Sequence, residues 1–376
     1  MSSPALTQRI VVVGRGLAGA LVAWKFWERG CEVHWWGDGS PSASHVAAGM
    51  FNPVSFRRIV EVWNAGAHLE EMRRTVLSME AEWGLEGQLL HDVPVVKVFA
   101  NEDYRETWDA RWEERHGVCQ WASMGEEVSG SGMGDVEGPA GIGRVHASGW
   151  VDVPKLLAAM AQHMKEHGKL VDATWHVADG VPQGAHAVVD CRGVGAAADL
   201  ASAGVTINPN HGDVLTLSTP MEGEGRLDTQ NHNINNGKWL LPTAVVGGRQ
   251  HWRLGATYSW HQTKPTPQPD APYALRTHMA KAFDGPGSEA LMSAKLESHE
   301  AGLRPASPDR RPTAGPWPGQ PEGVLMLNGL GTRGVLVGPA MAKHLVTWWL
   351  DGTDLPPEIL ATRFKSVREK AAGFQN

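Results

Sequence analysis

With 376 residues, 42% of them hydrophobic and 20% charged, the chain has the composition of a soluble globular protein of two domains or one large elaborated domain, and not of a disordered one. A net charge of −7 argues against broad attraction to nucleic acid or an anionic membrane, and no span approaches the roughly 20 apolar residues of a membrane helix. Three cysteines, Cys31, Cys119 and Cys191, lack metal-ligand spacing and fit a reducing cytoplasm better than a disulfide framework.

In chain order, Ile10-Val-Val-Val-Gly14-Arg-Gly16-Leu17-Ala18-Gly19 predicts a strand, a tight turn and a helix N-terminus. Gly14 permits the turn, Gly16 lets the backbone approach a phosphate, and Gly19 lets the helix pack close to the strand. The helix dipole and its free N–H groups then face a dinucleotide pyrophosphate. Arg15 interrupts the apolar run, which argues against a signal peptide. Residues 31–36 predict the second parallel strand and complete a βαβ unit before the turn-rich residues 37–41. Leu69, Met72, Val76 and Met79 recur at helical spacing and predict a long helix over 64–83.

Residues 93–99 predict a strand, and 130–143 a glycine-rich flexible surface loop. Residues 149–154 lead into a helix carrying Leu156, Leu157, Met160 and Met164, with Asp152 near its N-cap and Pro154 in its first turn. Residues 186–193 read as a short buried strand ending in a turn. A strand-rich middle runs from Val214 through 239–242 and 252–258, and the proline-rich stretch 264–272 is a loop. Finally 323–328 predict a strand that turns through 329–334 into a helix over 335–350. His163 and His167 share a helix face without a third ligand nearby, so no metal site is expected. The fold class is α/β with α+β elements. A Rossmann-like nucleotide-binding domain, discontinuous in sequence (1–84, 144–210 and 296–376), carries an inserted β-rich domain for substrate (85–143 and 211–295).

Five segments in this order resemble the family of FAD-dependent amine and amino-acid oxidases that includes D-amino-acid oxidase, glycine oxidase and monomeric sarcosine oxidase. The family also includes the FAD domain of the bacterial enzyme that modifies a wobble uridine in tRNA. The segments are 11–19; Ser44-His45-Val-Ala47-Ala48-Gly49-Met-Phe-Asn52-Pro53; 149–157; 188–193; and the Gly302-Leu-Arg304-Pro305 stretch through 312 with 329–334. Their joint order is more specific than a lone glycine motif.

The resemblance implies FAD, with Gly14, Gly16, Leu17, Ala18 and Gly19 at its pyrophosphate. Ala47, Ala48 and Gly49 match the segment that passes beside the flavin ring, with His45 near it; a plain tight loop and a structural histidine are the alternatives. Gly193 and the turn of Gly329, Gly331, Thr332 and Arg333 would lie on the flavin side. Gly334 and Val335 would point the last helix at the pyrimidine edge of the ring, where a dipole stabilises negative charge. The acidic ribose ligand expected at the end of the second strand falls on Gly37. Either the turn shifts so that Asp38 reaches the ribose, or backbone and water contacts serve and Asp38 is a solvated turn residue. The cysteine that holds flavin covalently in sarcosine oxidases falls near Gly302, so FAD is expected to be noncovalent.

On the substrate side, Arg304 matches the carboxylate-binding arginine of glycine oxidase, where a planar fork suits a bidentate clamp; a structural salt bridge is the alternative. Arg333 either binds near flavin and substrate or pairs with an acid of the β-rich domain. Trp239 stands where glycine oxidase has a carboxylate-binding tyrosine, which implies a differently shaped substrate. Arg253 falls near a lysine that assists oxygen reduction in sarcosine oxidases, or faces outward from its strand.

The resemblance implies oxidation of the C–N bond of an amino acid or secondary amine by hydride transfer to flavin N5. The imine formed would hydrolyse, and oxygen or another acceptor would reoxidise the flavin. Two alternatives stay open, FAD-dependent oxidation of a 2-hydroxy acid and a flavin-binding protein without turnover. The expected partners are a small-molecule substrate and an electron acceptor, in the cytoplasm, without nucleic acid. Acidic balance and the absence of an attached methyltransferase-like segment argue against the tRNA-modifying role.

Overall fold

The structure, a computed structural model, describes residues 7–114, 117–125 and 134–373; residues 130–133 of the predicted glycine-rich loop lie outside them. Two sheets dominate. The first has six strands in the order Leu170–Asp172, Glu32–Gly37, Arg9–Val13, Ala187–Asp190, Val324–Asn328 and Thr313–Pro316. All neighbours are parallel except the last pair. Alternation along Arg9–Val13 explains how both faces are covered. Ile10 and Val12 pack under the helices Leu17–Glu28, Ala65–Trp83 and Gly334–Asp351, whereas Val11 and Val13 join Val188, Met326 and Trp175 on the other side.

The three helices are tied by a buried ion-pair cluster. Glu71 accepts from Arg74 at 2.6 Å, from Lys25 at 3.0 Å and from Lys343 at 3.0 Å, one lysine coming from each of the other two helices. Burial alone would raise the Glu71 pKa, but these three cations outweigh it and hold the carboxyl at about 2. His163 and His167 lie in an aromatic cluster, 4.8 and 4.7 Å from the Trp27 ring.

The second sheet has seven strands, in the order Lys295–Ala306, Asn208–Pro220, Arg249–Gly255, Trp239–Val246, Asn233–Asn235, Val95–Val98 and Ile142–Val145. The last of these begins in the final two residues of the stretch predicted as a loop and pairs with Val95–Val98. One face is apolar: Leu215, Leu217, Leu240 and Leu254 pack against Leu275, Met279 and Leu291 from the helices Ala271–Ala280 and Gly285–Ser293. With side chains alternating, register places Asn210 opposite Arg304, Gly212 opposite Gly302, and Trp239 opposite Gly255 on the other face. That face meets the segment that follows the strand Glu32–Gly37, where a Cβ on Gly302 would stand 3.2 Å from Ala43 Cα.

Candidate active site

The glycine turn at the end of Arg9–Val13 is shaped by close backbone contacts. Gly14 has φ +110°, and a Cβ there would meet the Cys191 carbonyl at 2.6 Å. A Cβ on Gly19 would overlap the Gly14 carbonyl, which also accepts from Trp35 Nε1 at 3.0 Å. Gly16 is the N-cap of Leu17–Glu28 and makes no side-chain cap. Ser44 Oγ accepts the Leu17 N–H at 3.0 Å, and the N–H groups of Ala18 and Gly19 precede the first i→i−4 bond, Ala20 to Gly16. The turn is therefore bare of side chains, rich in donors and flanked by hydroxyls.

Around it converge the remaining predicted segments. Leu17 Cδ2 lies 3.5 Å from where a Gly334 Cβ would stand, so the two chain ends abut. Asn328, buried, bridges two turns: its Nδ2 donates to Gly193 O at 3.0 Å and its Oδ1 accepts from Gly329 N at 2.7 Å. Gly331 N donates to Pro305 O at 2.9 Å, joining the last turn to the second sheet. Thr332 and Arg333 are exposed, and Val335 is buried one residue into the last helix. Gly49, at φ +72°, packs so tightly on Val151 that no side chain fits. His45 is exposed and caps its own short helix, its Nδ1 accepting from Ser42 N at 3.1 Å.

At the ribose position, Arg15 occupies the space that a longer side chain at 37 would fill: a Gly37 Cβ would meet Arg15 Cγ at 2.8 Å. Arg15 donates to Val171 O and pairs with Asp172, both at 2.7 Å. Asp38 is exposed and accepts the Ser40 N–H at 2.9 Å, closing its own turn.

The facing side of the second sheet carries the cations. Arg253 points inward and is spent on backbone, donating to Val46 O at 2.7 Å and Ala47 O at 2.9 Å; burial lowers its pKa. It braces the segment that carries Ala47, Ala48 and Gly49. Arg304 is half-buried, with its guanidinium over Gly212, where a Cβ would collide with it. It donates to Asn210 Oδ1 at 3.0 Å and lies 4.9 Å from the Tyr258 ring centroid, without a carboxylate partner among the described residues. Burial pushes its pKa down. The Trp239 ring packs on Gly255. Arg333 is exposed at the rim, yet crowding of its guanidinium, followed by the like charges of Arg310 and Arg58, lowers its pKa.

A dinucleotide cradle on a mostly parallel sheet, beside a mixed sheet that presents an arginine with no carboxylate in ion-pair contact among the described residues, is the arrangement of a flavin-dependent oxidoreductase. Residues 9–348 match the model of the family described as DAO, FAD dependent oxidoreductase, and the chain belongs to that family. A curated relative, the tRNA 5-methylaminomethyl-2-thiouridine biosynthesis bifunctional protein MnmC of Paracidovorax citrulli, is 23% identical over 403 residues. The alignment takes in 96% of this chain but 60% of that relative, so the chain spans about three fifths of its length. Among solved structures, glycine oxidase from Geobacillus kaustophilus superposes with a TM-score of 0.74 at 20% identity, covering 96% of this chain and 99% of that one. Iminodiacetate oxidase from Chelativorans sp. gives 0.67 at 19% identity, covering 95% and 99%. These neighbours share the fold.

The residues present fit FAD: a side-chain-free turn with forward-pointing N–H groups suits a pyrophosphate, and bare Ala47, Ala48 and Gly49 leave room for a planar ring. Sequence reasoning missed Ser44, Asn328, Asn210, Lys238 and Tyr258. Ser44 lies beside Ala47, Ala48 and Gly49 in the sequence, and a hydroxyl able to accept the Leu17 N–H could have marked it. The others are brought in by tertiary pairing alone.

Proposed function

We propose that the chain binds FAD noncovalently between its two sheets and oxidises the C–N bond of a small amino acid or secondary amine to an imine, which water hydrolyses. The reading is carried by Arg304, a half-buried guanidinium on the site-facing strand surface that makes no ion pair with a carboxylate among the described residues, Asp213 acting on it only from beyond contact. A cation held this way suits an anionic ligand, and its planar fork suits a carboxylate. When bound, FAD supplies the two-electron sink.

The chain's own residues do the rest. Arg304 holds the substrate carboxylate and so orients the amine-bearing carbon, while the Trp239 ring walls the pocket and excludes water. Arg253 fixes the carbonyls of Val46 and Ala47, keeping that backbone flush. The N-terminal turn of Gly334–Asp351 offers N–H groups to negative charge at the ring edge. Arg333 at the rim draws anions inward. Oxygen or another small acceptor completes the cycle, and the cytoplasm is the proposed location. The first sheet with its helices serves as the FAD-binding domain and the second as the substrate domain.

Steady-state kinetics test the clamp. Arg304→Ala is expected to raise KM by about 100-fold, the size of a lost charge-assisted pair, with FAD content unchanged. Loss of FAD instead would contradict the assigned role. A second reading is favoured by the rim itself, where exposed Tyr258 stands near Arg333, with Arg310 and Arg58 also acting on it, and exposed Trp260 follows two residues after Tyr258. Aromatic and cationic groups of this kind stack bases and meet phosphates, and the relative from Paracidovorax citrulli is named for a tRNA modification. In that reading the amine is carried on tRNA, and oxidation would require tRNA while free amines leave the flavin oxidised.

A further inference from the structure

Beside Arg304 stand two groups whose bonding capacity is unspent. Asn210 is 2% exposed and lies directly across the strand pair from Arg304. A guanidinium only donates, so the Asn210 oxygen must face it, and the Nδ2 then has no acceptor among the described residues. Lys238, at the start of the Trp239 strand, donates to Ala256 O at 2.8 Å, and its Nζ lies 5.6 Å from the Tyr258 ring centroid. Arg304 lies 4.9 Å from the same centroid. One carbonyl satisfies one of the three ammonium donors, and no carboxylate pairs with Lys238 among the described residues. Burial, and then the like charge of Arg304, lowers the Lys238 pKa. Two cations are thus held around one aromatic ring with a buried orphan donor alongside, in a protein whose net charge is −7.

We propose that Arg304, Asn210 and Lys238 together form a site for two anionic groups, so that the preferred substrate is an amine bearing two carboxylates. The proposal rests on reading this pocket as an amine-oxidising site. Arg304 and the Asn210 Nδ2 take the carboxylate nearest the reacting carbon. Lys238 takes the second across the Tyr258 ring, where each remaining ammonium donor adds a charge-assisted bond. Lys238 acting merely as a brace for the Ala256 carbonyl is the competing role.

The flavin-loaded protein is titrated with two non-reacting acids, propionate and succinate, followed by the perturbation of flavin absorbance, and assayed with N-methylglycine and iminodiacetate. Succinate is expected to bind at least about tenfold more tightly than propionate, and iminodiacetate to show the higher kcat/KM. Lys238→Gln should bring the succinate-to-propionate ratio close to one, Lys238→Arg should restore it, and Asn210→Leu should weaken both acids. Equal affinity of the two acids for the unaltered protein, or an equal loss of both in Lys238→Gln, would overturn the proposal. Oxidation of both amines with no preference leaves the amine reading standing and sinks the two-anion site. Lys238-dependent succinate binding with neither amine oxidised does the reverse.

Discussion

At the scale of single residues, what distinguishes the candidate site is which cations lack a carboxylate in contact among the described residues. Arg253 and Arg304 lie on the same sheet face, yet Arg253 is spent on two carbonyls and Arg304 is not. Lys97 offers a contrast away from the site. It is 6% exposed, sits over the Tyr104 and Phe56 rings at 5.1 and 5.8 Å, and has no acid partner among the described residues. Burial lowers its pKa to about 8 from an ordinary 10.5. The folded chain therefore binds this proton less tightly than the unfolded chain, so stability is full above pH 10.5 and falls as pH drops through 8. Lys97→Met is expected to stabilise the protein by about 1–3 kcal/mol at pH 7, a gain that vanishes in melts at the alkaline end.

The residues legible in sequence were those with a local job. Gly14, Gly19 and Gly49 each answer to a backbone contact that forbids a side chain, and glycine in a turn announces that need. Asn210 and Lys238 announce nothing. Asn210 meets Arg304 across a sequence separation of 94, and Lys238 gains its meaning from Tyr258 on another strand's loop. Asp38 shows the limit of counting along a motif: Arg15 fills the space at Gly37, and Asp38 caps Ser40.

At the scale of elements, four of the five parallel strands and the long helices beside them were legible from hydrophobic periodicity, whereas the short edge strand Leu170–Asp172 was not. The predicted helix over 64–83 is Ala65–Trp83, and the Asp152 cap accepts the Lys155 N–H at 3.0 Å. The β-rich part was less legible. Gly285–Ser293 begins Gly-Pro-Gly, which reads as a loop until Asp284 is seen to cap Gly287 at 2.8 Å. Ile142–Val145 was hidden by surrounding glycines and gains its strand from pairing with Val95–Val98.

Within the apolar helical layer Glu71 bridges all three helices, and its depressed pKa fixes a pH window. The carboxylate contributes stability that is fully present above its ordinary value of 4.5 and is lost as pH falls toward about 2. Glu71→Gln is expected to cost about 2 kcal/mol at pH 7, because Lys25, 4% exposed, loses its buried partner and keeps only the more exposed Glu28. Thermal melts of the variant and the parent should converge as pH falls from 4.5 to 2.

At the scale of the whole molecule, the two sheets meet along a short seam, and the site lies on it. Gly302 faces Ala43, with space for a Cβ of only 3.2 Å to the Ala43 Cα, and Pro305 O accepts from Gly331 N at 2.9 Å. A leucine at Gly302 would force this seam apart at the backbone. Gly302→Leu is therefore expected to lose most of its flavin through purification while keeping its far-UV spectrum, a comparison of flavin absorbance with protein concentration being the check.

Central to the proposed function is that an amine held at Arg304 passes its electrons to flavin. Anaerobic addition of a panel of amino acids, secondary amines and 2-hydroxy acids to the flavin-bearing protein, followed at the visible flavin band, reads this directly. Bleaching by an amino acid or secondary amine, lost at working concentrations in Arg304→Ala with the flavin still bound, is the predicted result. A flavin that hydroxy acids bleach and amines leave oxidised, or that no member of the panel bleaches, would contradict it.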